Sequence, residues 1–212
     1  MSSDAPLTAP RAKLFVIAAP SGAGKTTLVK ALTTRHPQLR FSISYTTREK
    51  RRNEAHGVDY LFVSKREFES LRERGELLES ATVFDNLYAT SRQQVQQHLS
   101  AGHPVILEID WQGAAQVRES MPECVTIFIL PPSLEELERR LRDRRTDSEA
   151  TIERRLRDAR GDMSHWQEFD YVVINDNLER ALADLEAVLA GHGDAAATGN
   201  ELLQKAVGEI LG

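Results

Sequence analysis

Two kinds of hydrophobic spacing alternate along the chain. Lys13–Ala19, Val105–Ile109, Val125–Leu130 and Tyr171–Ile174 are short, continuously apolar runs, the pattern of strands buried on both faces. Helical segments lie between them. One spans Thr26 to Arg35 and stops at His36-Pro37, another spans Ser91 to Ala101 and closes at Gly102, and a third covers Asn177 to Leu189. Ser64-Lys-Arg-Glu67 and Ser133-Leu-Glu-Glu136 both read as capping boxes that open helices. Apolar strands alternating with helices predict an α/β fold with a central parallel sheet flanked by helices.

Residues 41–90 break this alternation. Strands are expected over Phe41–Tyr45, Val58–Val63 and Leu77–Phe84, the last turned by Asp85-Asn86. They are shorter and more alternating than the apolar runs, as in an inserted lobe of mixed α/β structure. Two arginine-rich helical stretches follow Ser133, interrupted near Thr146-Asp147-Ser148. Residues 1–11 carry Pro6 and Pro10 and read as a loose tail. A main domain is expected over 12–190, then a Gly/Ala/His linker from Gly191 to Gly199. Leu203, Val207 and Ile210 share one helical face after it, so a C-terminal helix docked on the same chain is expected within 191–212.

Composition narrows the function classes. The chain has 212 residues, 41% hydrophobic and 28% charged, with a net charge of −5. A globally basic nucleic-acid binder is disfavoured, and no nucleic acid is expected as a partner. The single cysteine, Cys124, excludes an internal disulfide and a cysteine-built zinc site; it reads as a small core residue. No apolar run reaches the roughly 18 residues that span a bilayer, and no secretion signal opens the chain. A reduced, cytoplasmic location without a membrane partner is expected, and a homo-oligomer stays open.

Ala19-Pro20-Ser21-Gly22-Ala23-Gly24-Lys25-Thr26 carries the strongest chemistry. It nearly fits G-x-x-x-x-G-K-[ST], with Ala19 at the first glycine. Glycines let successive N–H groups point into one concavity around phosphate oxygens, and the following helix adds its N-terminal partial charge. Lys25 can reach the β- and γ-phosphates of a bound nucleotide, and the Thr26 hydroxyl can ligate Mg²⁺. No Asn-Lys-x-Asp tetrapeptide is present, which argues against a GTPase switch. A small kinase fits the size.

Four blocks, in order, make the chain resemble the guanylate kinase family from about Lys13 to Leu189. They are the loop at 19–26, Ser44-Tyr-Thr-Thr-Arg48, Tyr88-Ala-Thr-Ser91 and Glu108-Ile-Asp-Trp-Gln-Gly113. Ile129-Leu-Pro-Pro-Ser133 and Val173-Ile-Asn-Asp176 extend the match. The resemblance implies a P-loop kinase in three parts: a core (12–40, 91–133 and 161–190), a GMP-binding lobe (41–90) and a helical lid (134–160). It implies ATP and GMP as substrates and Mg²⁺ as cofactor.

The resemblance also implies roles residue by residue. Arg48, Arg51, Tyr60 and Tyr88 would clamp the GMP phosphate, arginine suiting the task because its planar fork binds two oxygens. The family loop Arg-x-Pro-Arg-x-Gly-Glu reads here Arg48-Glu-Lys-Arg51-Arg-Asn-Glu54, without its proline and glycine. Glu79 would accept from guanine N1–H and N2–H, a pairing that adenine refuses. Ser44 and Thr90 would reach the base, and Asp110 would meet GMP. Glu108, where the family more often has aspartate, would stand near the metal without a direct bond. Arg140, Arg144 and Arg155 would close on the phosphates, and Asn175 would touch the adenine of ATP. His165 and Trp166 read as packing.

The expected reaction is ATP + GMP → ADP + GDP. Two alternatives stand beside it: a non-catalytic guanylate-kinase-like interaction module, and a related P-loop kinase for another phosphorylated acceptor. The first would have lost the loop or the GMP residues, and the second the base-reading ones; all are present.

Overall fold

The computed structural model of the chain describes residues 12–83, 85–143 and 148–212. The chain opens with β1 (Leu14–Ala18), α1 (Lys25–Arg35) and β2 (Arg40–Phe41). The middle segment holds β3 (Tyr45–Thr46), β4 (Leu61–Phe62), α2 (Lys65–Glu73), β5 (Leu77–Val83) and β6 (Asn86–Ser91). Then come α3 (Arg92–Ser100), β7 (Val105–Glu108), α4 (Trp111–Ser120), β8 (Val125–Leu130), α5 (Leu134–Asp143) and α6 (Glu149–Met163). The chain ends with β9 (Tyr171–Ile174), α7 (Leu178–Leu189) and α8 (Glu201–Leu211).

Five strands form a parallel sheet in the order β2-β7-β1-β8-β9. The alternation of side chains along a strand divides the core in two. Leu14, Val16 and Ala18 pack on one face with Leu107, Phe128 and Leu130, under α4, α5 and α6. Phe15 and Ile17 pack on the other with Ile106, Ile127 and Ile129, under α1 and α7. Both faces of β1 are covered, which is why that strand reads as an unbroken apolar run. Cys124 is buried at the margin of the first cluster.

A second sheet has the order β4-β3-β6-β5, with β5 on its edge and a register shift between Leu77 and Glu79. It rests on a far smaller cluster, Phe68, Leu77 and Ala89.

The sequence-based expectations need correction at four places. The strand expected over Phe41–Tyr45 is two strands in different sheets: β2 belongs to the large one and β3 to the small one. Between them Ser42 Oγ and the Ile43 amide both donate to Gln94 Oε1, at 2.9 and 2.8 Å, so a side chain replaces the ladder where the chain changes sheets. The strand expected over Val58–Val63 shrinks to β4; Val58 is 68% exposed. The capping box at Ser64 is complete, whereas at Ser133 only the hydroxyl half forms, accepting from the Glu136 amide at 3.1 Å. The Glu136 carboxylate turns instead to Arg139 and Arg140, which offer charged partners. The segment 191–199, expected as a plain linker, holds a short 3₁₀ turn at Asp194–Ala196 and a bridge from Ala197 to Tyr171.

Beyond it, α8 docks on the first cluster through Val207, with Leu203 and Ile210 beside it. Among the described residues, no helix is long and apolar enough to cross a membrane.

Candidate active site

The loop between β1 and α1 turns at Gly22 and Gly24, both at φ +94°, a conformation glycine adopts without penalty. A Cβ on Gly24 would collide with the Asn175 side-chain amide. That amide donates to the Ala23 carbonyl at 2.7 Å. Arg140 reaches the same carbonyl at 3.3 Å and the Asn175 carbonyl at 2.9 Å, while Glu136 holds its Nε at 2.8 Å. The loop is thus braced from behind on one carbonyl. On its open side Lys25 Nζ donates to the Ile109 carbonyl at 2.7 Å, and the Thr26 hydroxyl donates to the Glu108 carboxylate.

The loop opens into a cleft of about 410 Å³. Ala19, Pro20, Ser21, Gly22, Gly24, Lys25 and Thr26 line one wall; Glu108 and Asp110 stand at its floor. Ser44, Arg48, Arg51, Tyr60, Glu79 and Tyr88 line the wall from the smaller sheet, and Arg155 reaches in from α6. Ala23, Thr90, Arg140 and Asn175 do not line it: Thr90 stands behind Glu79, and the other three lie at the back of the loop. Arg144 lies outside the described residues.

Arg48 donates to Glu54 at 2.7 Å and to the Glu49 carbonyl at 2.8 Å. Its guanidinium sits 5.3 Å from the Tyr60 ring centre, within cation–π range. Glu54 also accepts from the Arg51 amide at 2.8 Å, so one carboxylate sets both arginine positions. Burial would raise its pKa, but the bonds from Arg48 and the Arg51 amide hold it below the usual carboxylate value. Burial pushes the Tyr60 phenol up to about 12, which keeps it a hydrogen-bond donor.

At the opposite end Glu79 is only 4% exposed. Its Oε1 accepts from Thr90 Oγ1 at 2.7 Å. Burial pushes its pKa up to about 7, with the Thr90 bond working against the shift and the charge of Asp110 adding to it. Asp110 caps α4 by accepting from the Gly113 amide at 2.8 Å, and burial raises its pKa as well.

Asp158 and Asp162 also line the cleft. They fall three and seven residues after Arg155, on one helical face; that spacing was the available signal for two residues that sequence reasoning passed over. Asp162 accepts from the Trp111 indole at 3.1 Å, and burial pushes it up to about 6. His165 stacks on Trp111 with ring centres 3.5 Å apart, and Trp166 is buried in the core. Glu54 was legible only as the last position of its loop. The cleft carries both signs, cationic at Lys25, Arg48, Arg51 and Arg155 and acidic at Glu79, Glu108, Asp110, Asp158 and Asp162, and they meet where the charge of Lys25 acts on Glu79 and Asp110.

A glycine loop between a buried parallel strand and a helix, facing a second, arginine-bearing wall across one cleft, is the arrangement of a P-loop kinase. Comparison with known proteins narrows the class. The guanylate kinase family model matches residues 11–192. A guanylate kinase of Pseudomonas fluorescens is 48% identical over 199 residues, covering 94% of this chain and 97% of the relative. One of Aromatoleum aromaticum is 57% identical over 176 residues, covering 83% and 86%. The crystal structure of guanylate kinase from Anaplasma phagocytophilum superposes with a TM-score of 0.72 at 33% identity, covering 92% of this chain and 94% of that one. The chain belongs to the guanylate kinase family.

Proposed function

We propose that this chain transfers the γ-phosphoryl group of ATP to GMP, giving ADP and GDP, and that the two ends of the cleft divide the work. The observation that carries the reading is the buried Glu79 carboxylate facing the same cleft as Lys25, Arg48 and Arg51. A nucleoside monophosphate whose base presents two N–H donors satisfies both ends at once. Adenine would bring an acceptor to Glu79.

The loop amides and Lys25 hold the donor phosphates. Arg48 and Arg51, set by Glu54, hold the acceptor phosphate in line. Arg155 lies on α6, which lines the cleft, and meets the transferring group, with Arg144 as its companion from the same lid. No general base is required, because a phosphate monoester with a second pKa of about 6 is already an anion at neutral pH. Catalysis is then positioning and neutralisation of charge. Arg140 and Asn175 serve by bracing the loop from behind.

We assign Mg²⁺ to the loop's end. Among the described residues no group of three or more His, Cys, Asp or Glu side chains gathers to cage a metal. Thr26 and Glu108 are hard oxygen donors already bonded to each other, which suits an ion held mostly by phosphates and water. Bound with the nucleotide, it supplies further charge neutralisation. The same reading divides the chain into core (12–40, 91–133, 161–190), acceptor lobe (41–90) and lid (134–160), and we propose a cytoplasmic location, where ATP and GMP are both at hand.

ADP release measured in a coupled assay with GMP, AMP, UMP and dTMP tests the reading. GMP is expected to be preferred at least about 100-fold, the scale of rejection when buried polar groups lose their partners. Equal use of AMP would remove the base-reading role, and no turnover with GMP would leave an interaction module.

A further inference from the structure

Two backbone groups next to Glu79 find their partners outside their own sheet. Because β5 is an edge strand, its outward amides and carbonyls have no neighbouring strand. At Ser80 both are taken by one side chain of α4. The Ser80 amide donates to Gln116 Oε1 at 3.0 Å, and Gln116 Nε2 donates to the Ser80 carbonyl at 2.8 Å. The carboxamide acts as a one-residue strand, offering an acceptor and a donor as a backbone would.

The contact falls at a sensitive place. The β5–β6 register shifts between Leu77 and Glu79, and a break in register re-aims the side chains beside it. Glu79 therefore needs its backbone fixed on the side away from the register shift. One turn earlier on α4, Gly113 leaves room for the carboxylate. A Cβ there would stand 2.5 Å from Glu79 Oε2. The same helix face thus pins the strand at Ser80 and clears space at Glu79. Its first residue follows Asp110, which also lines the cleft.

We infer that Gln116 is a positioning residue for base selection, fixing through its paired bonds to Ser80 where the Glu79 carboxylate stands. This rests on the reading of Glu79 as the base-contacting group. Gln116 does not line the cleft and acts through Glu79 alone.

The test uses Gln116→Met, which keeps length and volume but removes both polar atoms, in the full-length protein. Inosine monophosphate keeps N1–H and lacks the 2-amino group, so the ratio of kcat/KM for GMP over IMP reports how well both carboxylate oxygens are aimed. Gln116→Met is expected to lower that ratio about tenfold, the effect of losing one good hydrogen bond. The KM for ATP should hold within twofold. Gln116→Glu retains the acceptor for the Ser80 amide but sets a carboxylate oxygen against the Ser80 carbonyl, which cannot donate to it; its ratio should likewise fall below wild type. It also serves alone should the methionine variant not fold, a ratio at least threefold below wild type then supporting the inference. Glu79→Gln is the reference. If it collapses the ratio while the folded Gln116 variants keep the wild-type value, or lower kcat equally for both acceptors, the positioning role is overturned. If Glu79→Gln itself leaves the ratio unchanged, the base-reading assignment fails instead.

Discussion

In the proposed reading, the donor end and the acceptor end of the cleft would hold similar anions by opposite constructions. The glycine loop would offer main-chain amides, and its shape is held by the buried apolar strand β1 and by Arg140 and Asn175 on the Ala23 carbonyl. The acceptor wall would offer side chains: Glu79 and Tyr88 stand on β5 and β6, while Ser44, Arg48, Arg51 and Tyr60 lie in the loops flanking β3 and β4. Its buried positions include Ser44, Thr46, Glu79 and Thr90. Its apolar cluster contains three buried residues. Main-chain recognition needs a rigid platform and little else. Side-chain recognition needs each polar group held by another, which is why Glu54, Thr90 and Gln116 accompany Arg48, Glu79 and Ser80. Damage to the first should therefore act on chemistry with any acceptor, and damage to the second on the choice of acceptor.

The largest expected effect lies at the donor end. Lys25→Ala removes a charge aimed into the cleft and no core packing, so kcat should fall by about 10²–10³ or more, with every acceptor alike and with little change in melting temperature. Retention of a tenth of the rate in single-turnover assays would take Lys25 out of the transition state.

At the acceptor end the loss should be selective. Glu79→Gln replaces one carboxylate oxygen with a donor that faces guanine's own N–H groups. The expected cost is about 2–4 kcal/mol in kcat/KM for GMP, with ATP affinity unchanged and AMP use held or improved. Equal losses for GMP and AMP would move the base-reading role to Asp110.

Acidity should separate the two ends further. Glu79 has its pKa raised from 4.5 to about 7 by burial, so the neutral acid is the form that folding favours. Its contribution to stability is full below pH 4.5 and is lost as pH rises through 7, at most about 3 kcal/mol by linkage. Guanine binding needs the carboxylate, so the KM for GMP should rise as pH falls below 7. Asp162, pushed up to about 6, titrates in the same window. The difference between wild type and Glu79→Gln, in urea melts and in KM profiles, isolates Glu79, and parallel profiles would contradict the assignment.

The smallest effect is expected where the acceptor sheet meets α6. Arg154 and Asp85 pair at 3.2 Å with side chains 51% and 82% exposed, and such pairs contribute little. Asp85 also sits at φ +67°, which glycine adopts more readily. Asp85→Gly should shift stability by no more than about 0.5 kcal/mol; a larger loss in thermal melts would make this pair a structural tie between the two regions.

The donor end was the more legible of the two in the sequence, for physical reasons. A buried strand, a glycine turn and a helix start are contiguous, and each leaves a local signature in residues 14–35. The parallel sheet likewise followed from four apolar runs. At the acceptor end the information is distributed. Nothing in the spacing of Phe41–Tyr45 marks the point where the chain changes sheets, because the Gln94 side chain that permits the change lies some 50 residues on. Arg140 and Asn175 were placed on the correct elements, but only three-dimensional packing decides that their polar atoms face the back of the loop. Gln116 gave no signal, since a glutamine on an amphipathic helix is ordinary until its neighbour is an edge strand.

Trp111 gives the molecule a built-in optical probe. The indole begins α4, donates to Asp162 of α6 and stacks on His165 just beyond that helix. Any displacement of α6 against α4 must break the stack or stretch the bond, changing the polarity around the ring and so its emission. The other tryptophan, Trp166, is in the core and 7% exposed, and its contribution remains in the Trp111→Phe variant for subtraction. Motion of the helix that carries Arg155 can therefore be timed by stopped-flow fluorescence on the unlabelled protein, with Trp111→Phe as the silent control.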